Sequence, residues 1–412
     1  MVGCILAKTL LIIGAGPEQV PAYQIAKKRN LTIVGTDIKN NAPGLKLADF
    51  SINASTRDPV KTLSEIQNFS KSHQIDGVMT IANDVPLTVA TIANYLGTKS
   101  ISIKAAKNAS NKYLMKKCFK EHNVACPQFQ KISSLRDLIK FMKSAPEKKL
   151  YVLKPLDERG ARGVLLINKN DDLKWAYKES RSYGSGDFLI IEEFIEGMQF
   201  STESFLLDGK CYTAAVAERN YKNIKKYSPY IIEDGGDINH SQGKDLLDKI
   251  DNLILDGANA IGINEGIIKG DLVLDRNGDP LIIEIAARLS GGWFASHQIP
   301  AATNIDLISA VISYSLNEKI AEEDLMPFFK KSTSIRYWYP DQGSIKEING
   351  IDKLESTPGI IKYGFFNKVG DIQKNIRMHS DRFGYVIVQG KSNNQCKDRM
   401  NKALSTINII VK

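Results

Sequence analysis

The sequence lacks the features that mark several large classes of protein. Its five cysteines are odd in number and form no Cys-x-x-Cys pair, which supports neither a disulfide framework nor a zinc site. No apolar run is long enough to cross a membrane. The apolar start runs into Gly14-Ala15-Gly16 instead of a small-residue cleavage site. We therefore expect a cytoplasmic protein with reduced thiols and no membrane partner.

A strong charge of one sign is also missing. The 55 Lys and Arg against 46 Asp and Glu give a net charge of +9, spread over 412 residues. The densest basic stretch, Asn220 to Tyr227, mixes lysines with tyrosines and is too short for a nucleic-acid tract, so we expect a substrate-side loop and no nucleic-acid partner. With 43% apolar and 25% charged residues, the chain has the composition of a globular protein of about two to four domains.

The glycine fingerprint of a dinucleotide site is incomplete. The first ~105 residues alternate strands with helices, which predicts a parallel sheet. Gly14 to Gly16 follow the first strand and Asp37 ends the second, but the third glycine of the fingerprint is replaced by Gln19. This disfavours a nicotinamide or flavin site. Asp84, just ahead of Pro86, is predicted to be a helix N-cap.

Two carboxylates face each other across a predicted hairpin. If Asn277-Gly278 is a two-residue type I′ turn, Asp271 and Glu284 are direct cross-strand partners, and a four-residue turn keeps the same faces. The opposite face is apolar: Leu272, Leu274, Leu281, Ile283 and Ile285. Because opposed like charges destabilise a sheet, we expect a cation there, and Mg²⁺ shared with substrate phosphates suits the pair. A solvated outer face is the alternative.

The middle of the chain carries residues suited to phosphate. Lys154 lies inside the apolar strand Tyr151 to Pro155, where a buried ammonium needs an anion. The next segment, Leu156 to Gly163, contains two glycines and two arginines that can bind a phosphate, although an ordinary hairpin connection fits equally well. The strand Phe188 to Ile195 ends in two acids and is either a hinge facing an adenine or a solvated strand end.

Taken in order, these pieces resemble the ATP-grasp ligases, in the branch that includes carboxylate–amine ligases and carbamoyl-phosphate synthase-like and biotin carboxylase-like proteins. The resemblance covers nearly the whole chain, and it depends on the order and spacing of the motifs because no single motif is decisive. They are Lys112 in Ser110-Asn-Lys-Tyr-Leu-Met, Lys154 in Val-Leu-Lys-Pro, the glycine loop, Glu192 in Ile-Glu-Glu-Phe-Ile-Glu-Gly, Glu203 in Phe-Ser-Thr-Glu-Ser, and the Asp271/Glu284 hairpin with Arg288-Leu-Ser-Gly-Gly292.

The resemblance implies an α/β ATP-grasp fold in four parts. These are an N-terminal Rossmann-like pre-ATP-grasp domain (1–105), a small ATP-grasp subdomain (106–190), a large one (191–330) and a C-terminal α/β lid domain (331–412). The helix Lys244 to Ile261 has an apolar stripe at helical spacing and is expected to pack behind the catalytic sheet. Arg382 is expected to be a structural residue of the lid.

The resemblance also implies a binding site for ATP and Mg²⁺, or Mn²⁺ in its place. Lys112 and Lys154 would contact phosphates as point charges, and the loop with Arg159, Gly160 and Gly163 would close over them. The adenine and ribose would be surrounded by Glu192, Glu193, Phe194 and Ile195, with Glu203 as a further acid on the nucleotide side, reached by the ribose or Lys154. Asp271 and Glu284 would hold the metal ions.

The acceptor side follows from the same resemblance. Arg288 with Ser290, Gly291 and Gly292 would hold a substrate carboxylate, and Arg288 would stabilise the transferred phosphoryl group. His240 in the segment Ile231 to His240 would orient a carboxylate or deprotonate an amine, unless it is a surface residue. His73, His122, His297 and His379 have no spacing typical of a metal site and are expected to be structural.

One residue departs from the family pattern. Ala286 stands two residues after Glu284, where the family usually has an asparagine that ligates the metal. Either water completes the shell of the second Mg²⁺, or that metal binds weakly.

The expected function is ATP-dependent ligation of a carboxylate, an amino acid among the candidates, to an amine. The alternatives are a carboxylase that uses bicarbonate, a nicotinamide-dependent oxidoreductase opposed by Gln19, and a non-catalytic nucleotide-binding relative suggested by Ala286. The sequence leaves open the substrates and the oligomeric state, for which a homodimer is compatible with the family.

Overall fold

The computed structural model describes residues 7–239 and 242–412. Its N-terminal part is a four-stranded parallel sheet with strand order β3-β2-β1-β4, flanked by helices. The elements are β1 (Thr9–Ile13), α1 (Val20–Lys28), β2 (Thr32–Asp37), β3 (Phe50–Asn53), α2 (Pro59–Phe69), β4 (Gly77–Met79) and α3 (Pro86–Leu96). The parallel sheet is confirmed, while β3 escapes prediction because it buries only Ile52.

The turn after β1 is filled by the chain's own polar groups. The side-chain amide of Gln19 donates to the carbonyl of Ile81 at 2.8 Å. The carboxylate of Asp37 accepts the N–H of Ala15 at 3.0 Å, and the hydroxyl of Tyr23 donates to the carbonyl of Gly14 at 3.0 Å. Gln19, which stands at the position of the third glycine of the fingerprint, is therefore bound to the end of another segment of the same chain.

A small antiparallel sheet with strand order β5-β8-β6-β7 follows. Its elements and the helices before it are α4 (Ile103–Ser110), α5 (Lys112–Glu121), β5 (Phe129–Ile132), α6 (Leu135–Ser144), β6 (Tyr151–Pro155), β7 (Leu165–Ile167), α7 (Leu173–Arg181) and β8 (Leu189–Glu193). The side chain of Asn111 caps α5 by accepting the N–H groups of Tyr113 and Leu114. The cap fixes Lys112 at the first turn of the helix.

The third part contributes five strands to a larger sheet. Its elements are β9 (Gln199–Leu207), β10 (Lys210–Arg219), α8 (Ile224–Tyr227), β11 (Gly236–Ile238), α9 (Lys244–Ile261), β12 (Gly266–Leu274), β13 (Pro280–Ala286), α10 (Ile299–Thr303) and α11 (Leu307–Ser315). The apolar stripe of α9 packs as predicted, since Ile250 and Ile254 share a core cluster with Phe119 and with Ile282 of β13.

The C-terminal part continues the same sheet instead of forming a separate one. Its elements are β14 (Ser332–Trp338), β15 (Gly343–Asn349), α12 (Ile351–Glu355), β16 (Ile360–Phe365), β17 (Ile372–Gln373), β18 (Gly384–Gly390), α13 (Asn393–Thr406) and β19 (Asn408–Val411). The sheet order is β13-β12-β9-β10-β11-β14-β18-β16, and β17-β15-β19 form a small second sheet. The division at residues 105, 190 and 330 stays a prediction.

Short helical turns complete the structure. They are the 3-10 turns Pro43–Leu47, Glu322–Asp324 and His379–Asp381 and the π-helical turn Phe294–Gln298. Among the described residues, no helix is both long and apolar enough to span a bilayer.

The turn of the β12–β13 hairpin differs from the prediction. A type I′ turn needs positive φ at both central residues, but of Asn277 and Gly278 only the glycine has one, at +82°. The N–H of Asp275 donates to the carbonyl of Asp279 at 2.9 Å, which leaves a three-residue loop. This shifts the strand register by one residue near the turn.

A bulge restores the predicted pairing farther along the hairpin. The register changes between Asp271 and Leu272, so Asp271 still lies opposite Glu284. The bulge places Ile283 in the wall of a cavity and Ile282 in the core. The prediction that Ile283 belongs to the apolar face is therefore wrong, while the predicted carboxylate pair is confirmed.

Candidate active site

A cavity of ≈ 670 Å³ lies where all four parts of the chain meet. It collects most of the predicted site residues: Lys112, Lys154, Arg159, Gly160, Glu192, Glu193, Phe194, Ile195, Asp271, Glu284, Arg288, Ser290, Gly291 and Gly292. Gly163 does not line the cavity, although its sequence neighbours Arg162 and Val164 do. Glu203 lies beneath the cavity with no exposed surface.

One side of the cavity, here called the lysine wall, consists of Lys112, Lys154, Glu192 and Glu284. The ammonium of Lys112 lies 3.0 Å from the carboxylate of Glu284 and donates to the carbonyl of Glu158 at 2.8 Å. The ammonium of Lys154 lies 2.8 Å from the carboxylate of Glu192. The anion that the buried lysine requires is therefore a protein side chain in this form of the molecule.

A third lysine, which sequence reasoning missed, supports this wall from behind. Lys116 is one turn after Lys112 on α5 and is 1% exposed. Its ammonium donates to the carbonyl of Ile282 at 2.9 Å and lies 3.6 Å from the second oxygen of Glu192. Lys116 thus ties the metal-side strand β13 to the end of β8. The spacing of four residues from Lys112 within a capped helix is the signal that could have found it.

The glycine loop closes one end of the cavity. Gly160, Ala161 and Gly163 all have positive φ, at +64°, +61° and +68°. The loop touches two distant segments: Arg159 donates to the carbonyl of Asp84 at 3.3 Å, and the N–H of His379 donates to the carbonyl of Gly160 at 3.0 Å. The loop is therefore held by the N-terminal sheet on one side and by the C-terminal part on the other.

The end of β8 forms the hinge between the small and large sheets. The N–H of Phe194 donates to the carbonyl of Leu150 at 3.1 Å. The carboxylate of Glu193 lies 2.7 Å from the ammonium of Lys149. Glu193, Phe194 and Ile195 face the main cavity and also a second one that reaches the hairpin loop around Arg276.

Asp271 and Glu284 differ in how many cationic side chains surround them. Asp271 is held by Lys269, by Arg219 at 3.0 Å and by the hydroxyl of Ser201 at 2.8 Å. Burial alone would raise its pKa, but these cations hold the pKa of Asp271 far below the usual range. Among the described residues, Glu284 forms one ion pair, which is with Lys112. Among the described residues, no three or more acids, histidines or cysteines cluster as a metal cage.

Asp84 is not the helix N-cap that the sequence predicts. That position is held by Val85, which makes no side-chain cap bond. The carboxylate of Asp84 instead accepts Nε of Arg288 at 2.7 Å. Burial opposes ionisation, but Arg288 outweighs it and lowers the pKa of Asp84 to about 2. An ion pair across 204 residues could not be recognised from local capping patterns.

Glu203 does not contact Lys154 or the cavity, contrary to the expectation of a nucleotide-side acid. Both of its oxygens accept the N–H of Ser290, at 3.0 and 3.2 Å. Burial raises the pKa of Glu203 to about 7. Glu203 therefore supports the turn from Ser290 to Gly292 from below.

Several cavity residues were missed because they come from segments without a recognisable motif. Glu233, in the segment predicted to face the acceptor, pairs with Arg382 at 2.8 Å and with Arg219 at 3.3 Å. The guanidinium of Arg382 also lies over the ring of Tyr337, 3.7 Å from its centroid. Arg382 therefore ties the C-terminal part to the segment of Glu233, as expected of a structural residue, and it also lines the cavity.

The predictions for His240 and His379 have different outcomes. His240 lies outside the described residues, so its role stays a prediction. His379, expected to be structural, lines the cavity. Burial lowers the pKa of His379 well below its ordinary value, and the positive charge of Arg382 lowers it further.

Comparisons with known proteins agree with this arrangement. Residues 109–292 match the family model of the ATP-grasp domain, and residues 336–412 match the model of the L-amino acid ligase C-terminal domain 2. The L-arginine-specific L-amino acid ligase of Bacillus subtilis is 22% identical over 379 residues, which are 89% of each chain. The phosphoribosylamine–glycine ligase of Methanococcoides burtonii is 26% identical over 363 residues, covering 81% of this chain and 79% of the relative.

The fold has a close counterpart among solved structures. The L-amino acid ligase from Bacillus licheniformis superposes with a TM-score of 0.83 over 98% of this chain and 99% of that one, at 18% sequence identity. The α/β fold is therefore shared over almost all of both chains.

Proposed function

The chain is a member of the ATP-grasp superfamily, and from that premise we propose that it joins a carboxylate to an amine at the expense of ATP. The observation that carries the proposal is the single cavity in which the Asp271/Glu284 pair lies between the lysine wall and Arg288. The named relatives, which are amino acid and phosphoribosylamine–glycine ligases, support the same reaction type.

ATP would lie along the lysine wall. Lys112 and Lys154 would turn from their glutamate partners to the phosphates, with Lys116 keeping Glu192 in place from behind. The loop from Gly160 to Gly163 would offer its N–H groups to the same phosphates. The adenine would lie against the hinge formed by Glu193, Phe194 and Ile195.

The residues present fit Mg²⁺ shared with phosphates. Two carboxylates lie on opposed strands, and the described residues place no third acid with them as a metal-binding group. This suits an ion that keeps several waters and binds one or two carboxylates. Asp271 and Glu284 would hold it by exchanging Lys269 and Lys112 for the metal. Bound there, Mg²⁺ would neutralise charge on the transferred phosphoryl group.

Arg288 would direct the first step. Its guanidinium, oriented by Asp84, would hold one oxygen of the substrate carboxylate. The other carboxylate oxygen would attack the γ-phosphorus, and the bond between this phosphorus and the leaving ADP oxygen would break. The amine then attacks the acyl carbon and the carbon–oxygen bond to phosphate breaks. The amine loses its proton, and phosphate leaves with the electron pair. The protein contributes mainly position and charge.

The test is ADP formation from Mg-ATP with a matrix of carboxylates, amino acids and bicarbonate crossed with amines, followed by mass spectrometry of the products. We expect ADP that requires both an acid and an amine, together with a product of their condensed mass. Labelled carbon from bicarbonate in the product would establish the carboxylase alternative. ATP binding without ADP in any combination would contradict the ligase.

A further inference from the structure

His379 brings an imidazole from the C-terminal part of the chain into the wall of the cavity. It is the first residue of the 3-10 turn His379–Asp381. The carboxylate of Asp381 fixes the start of this turn, because it accepts the N–H groups of Arg377 at 3.0 Å and Met378 at 3.1 Å. The position of the imidazole is therefore set by a short turn that closes its own hydrogen bonds.

This turn is attached to the glycine loop through the backbone. The N–H of His379 donates to the carbonyl of Gly160 at 3.0 Å. A Cβ added to Gly160 would lie 3.8 Å from the Cβ of His379, so the two segments are in close contact. Since the proposed function places the ATP phosphates under this loop, the imidazole would lie beside the transferred phosphoryl group. Because the bond uses only backbone atoms, a substitution of the histidine side chain leaves it in place.

The imidazole of His379 is able to accept a proton. Among the described residues, neither of its ring nitrogens forms a hydrogen bond or an ion pair. Burial lowers its pKa well below the ordinary value. The charged groups that face it are Arg382 and Arg219, which lower the pKa further, and Glu233 and Asp271, which oppose this. A lowered pKa favours the uncharged imidazole, in which one ring nitrogen carries no proton.

Most acids of the cavity wall are instead paired with cations. The carboxylate of Asp84 lies 2.7 Å from Arg288, and that of Glu233 lies 2.8 Å from Arg382. Burial would raise the pKa of both acids, but the arginines outweigh burial and lower each pKa to about 2. Four more acids of the wall lie within 3.0 Å of a lysine or arginine: Glu192, Glu193, Asp271 and Glu284. Carboxylates held in this way are weak proton acceptors.

Two residues are rivals of His379 as a base. Glu18, just before α1, lines the cavity with a carboxylate that accepts the N–H of Gly292 at 2.6 Å. Burial raises the pKa of Glu18, which makes this carboxylate a better proton acceptor than the paired acids. His240, which the sequence analysis names for the same role, lies outside the described residues. A test of His379 therefore has to include both.

We infer that His379 is the general base of the second half of the reaction, in which the amine attacks the acyl phosphate. This rests on the proposed function and adds the residue that accepts the proton. The amine nitrogen bonds to the acyl carbon and becomes more acidic than a free ammonium. Its proton then passes to the unprotonated ring nitrogen of His379. The carbon–oxygen bond to phosphate breaks, phosphate leaves with the electron pair, and the imidazolium gives its proton to water.

The experiment separates the two halves of the reaction in His379→Gln, with an acid and an amine that give ADP in the screen described above. ADP formed in the first turnover reports formation of the acyl phosphate, and mass spectrometry reports the amide. We expect the first turnover and KM for ATP to match wild type, while kcat/KM for the amine falls by about 100-fold. Hydroxylamine, which is largely unprotonated at neutral pH and attacks acyl phosphates without a base, should give hydroxamate within about twofold of the wild-type rate.

Two further variants complete the comparison. His379→Asn is a second substitution that also lacks the basic nitrogen, and it should show the same separation of amide from hydroxamate if His379→Gln does not fold. His122→Gln is the matched control, because His122 is exposed at the C-terminal end of α5. It should keep wild-type rates with both nucleophiles. Unfolding midpoints equal to that of wild type would show that the turn is intact.

Several results would overturn the inference. A first turnover slowed as much as amide formation would reduce His379 to a support of the glycine loop. Equal losses of hydroxamate and amide would show that proton transfer is not what the variant lacks. A larger loss of amide in Glu18→Gln or His240→Gln would assign the base to that residue. ADP with an unchanged amide yield in both His379 variants overturns the inference alone, whereas absence of ADP with every acid and amine overturns the proposed function and the inference with it.

Discussion

Two fully buried glutamates behind opposite ends of the cavity differ in charge environment. Glu192 behind the lysine wall lies 2.8 Å from Lys154 and 3.6 Å from Lys116. Burial opposes its ionisation, but the two lysines outweigh burial and lower its pKa. Glu203 lies behind the turn from Ser290 to Gly292, here called the acceptor turn, and accepts the N–H of Ser290. Burial outweighs this bond and the positive charge of Arg288, and it raises the pKa of Glu203 to about 7.

The difference indicates how each end is organised. At the lysine wall, protein anions hold cations in place until phosphates replace them, so the charges are preorganised for a polyanion. At the acceptor turn, the carboxylate of Glu18 accepts the N–H of Gly292 and, among the described residues, forms no ion pair. The protein therefore supplies less compensating charge at this end. Substitutions in the lysine wall and substitutions in the acceptor turn should therefore change different kinetic constants.

The largest effect is expected at the metal side of the lysine wall. Glu284→Gln removes one of the two opposed carboxylates while keeping its shape, so Mg²⁺ would bind with one anionic ligand fewer. We expect acceptor-dependent ADP formation to fall by about 10³-fold, with the same unfolding midpoint. Phosphate release assays on Glu284→Gln and on the exposed Glu65→Gln measure this. Retention of more than a tenth of the activity would contradict a metal role for Glu284.

The second prediction concerns the pKa of Glu203. Because its folded pKa, about 7, lies above the value of an exposed glutamate, the folded state binds the proton more tightly, and the free energy of unfolding falls as pH rises from about 4.5 to 7. Glu203→Gln should remove this decline and be more stable than wild type at pH 8 by about 2 kcal/mol. Urea unfolding at pH 5 and pH 8 tests it.

The urea unfolding of Glu203→Gln has a matched control. Glu65→Gln should keep the wild-type dependence on pH, since that side chain is exposed. If Glu203→Gln declines with pH as steeply as wild type, then the titration belongs to another group and the contrast between the two glutamates is lost.

The two ends also differ in how far the sequence predicts them. Lys154 and the Asp271/Glu284 pair could be placed from strand patterns. Lys112 and Glu192 could be placed from the order of the motifs in the family resemblance. The faces of the β12–β13 hairpin were only partly predictable. The three-residue loop shifts the strand register by one residue, and the bulge next to Asp271 reverses that shift. Glu18 could not be predicted from these patterns. It follows the turn Gly14 to Gly16, which the sequence analysis interprets as part of an incomplete dinucleotide fingerprint.

Long-range pairing explains the remaining failures. Asp84 looks like a cap in its own segment but binds Arg288, 204 residues away. Glu203 lies in a strand whose partner turn begins 87 residues later. Arg382 reaches Glu233 across 149 residues. Such contacts follow from the assembly of the sheets, and neither alternation nor helical spacing encodes them.

The third prediction tests the lysine wall directly. Lys154→Met keeps the length of the side chain but removes its charge, which leaves Glu192 with Lys116 alone. We expect KM for ATP to rise by about 30-fold and KM for the carboxylate to stay unchanged, because a point charge on a phosphate is lost. Steady-state kinetics with Lys174→Met, an exposed lysine of α7, provides the comparison. A rise confined to KM for the carboxylate would reverse the assignment of the two ends.

The smallest effect is expected when the glycine Gly291 of the acceptor turn is replaced by alanine. Gly291→Ala would push against the Glu18 carboxylate, which lies 2.5 Å from the added Cβ, and so misplace that carboxylate without removing it. We expect KM for the carboxylate substrate to rise about fivefold, with KM for ATP unchanged. Gly243→Ala is the matched control, because its added Cβ has no neighbour within 4 Å. Since Glu18→Gln removes the charge and Gly291→Ala only moves it, combining the two should add little to Glu18→Gln alone, and full additivity would mean that the turn and the carboxylate act independently.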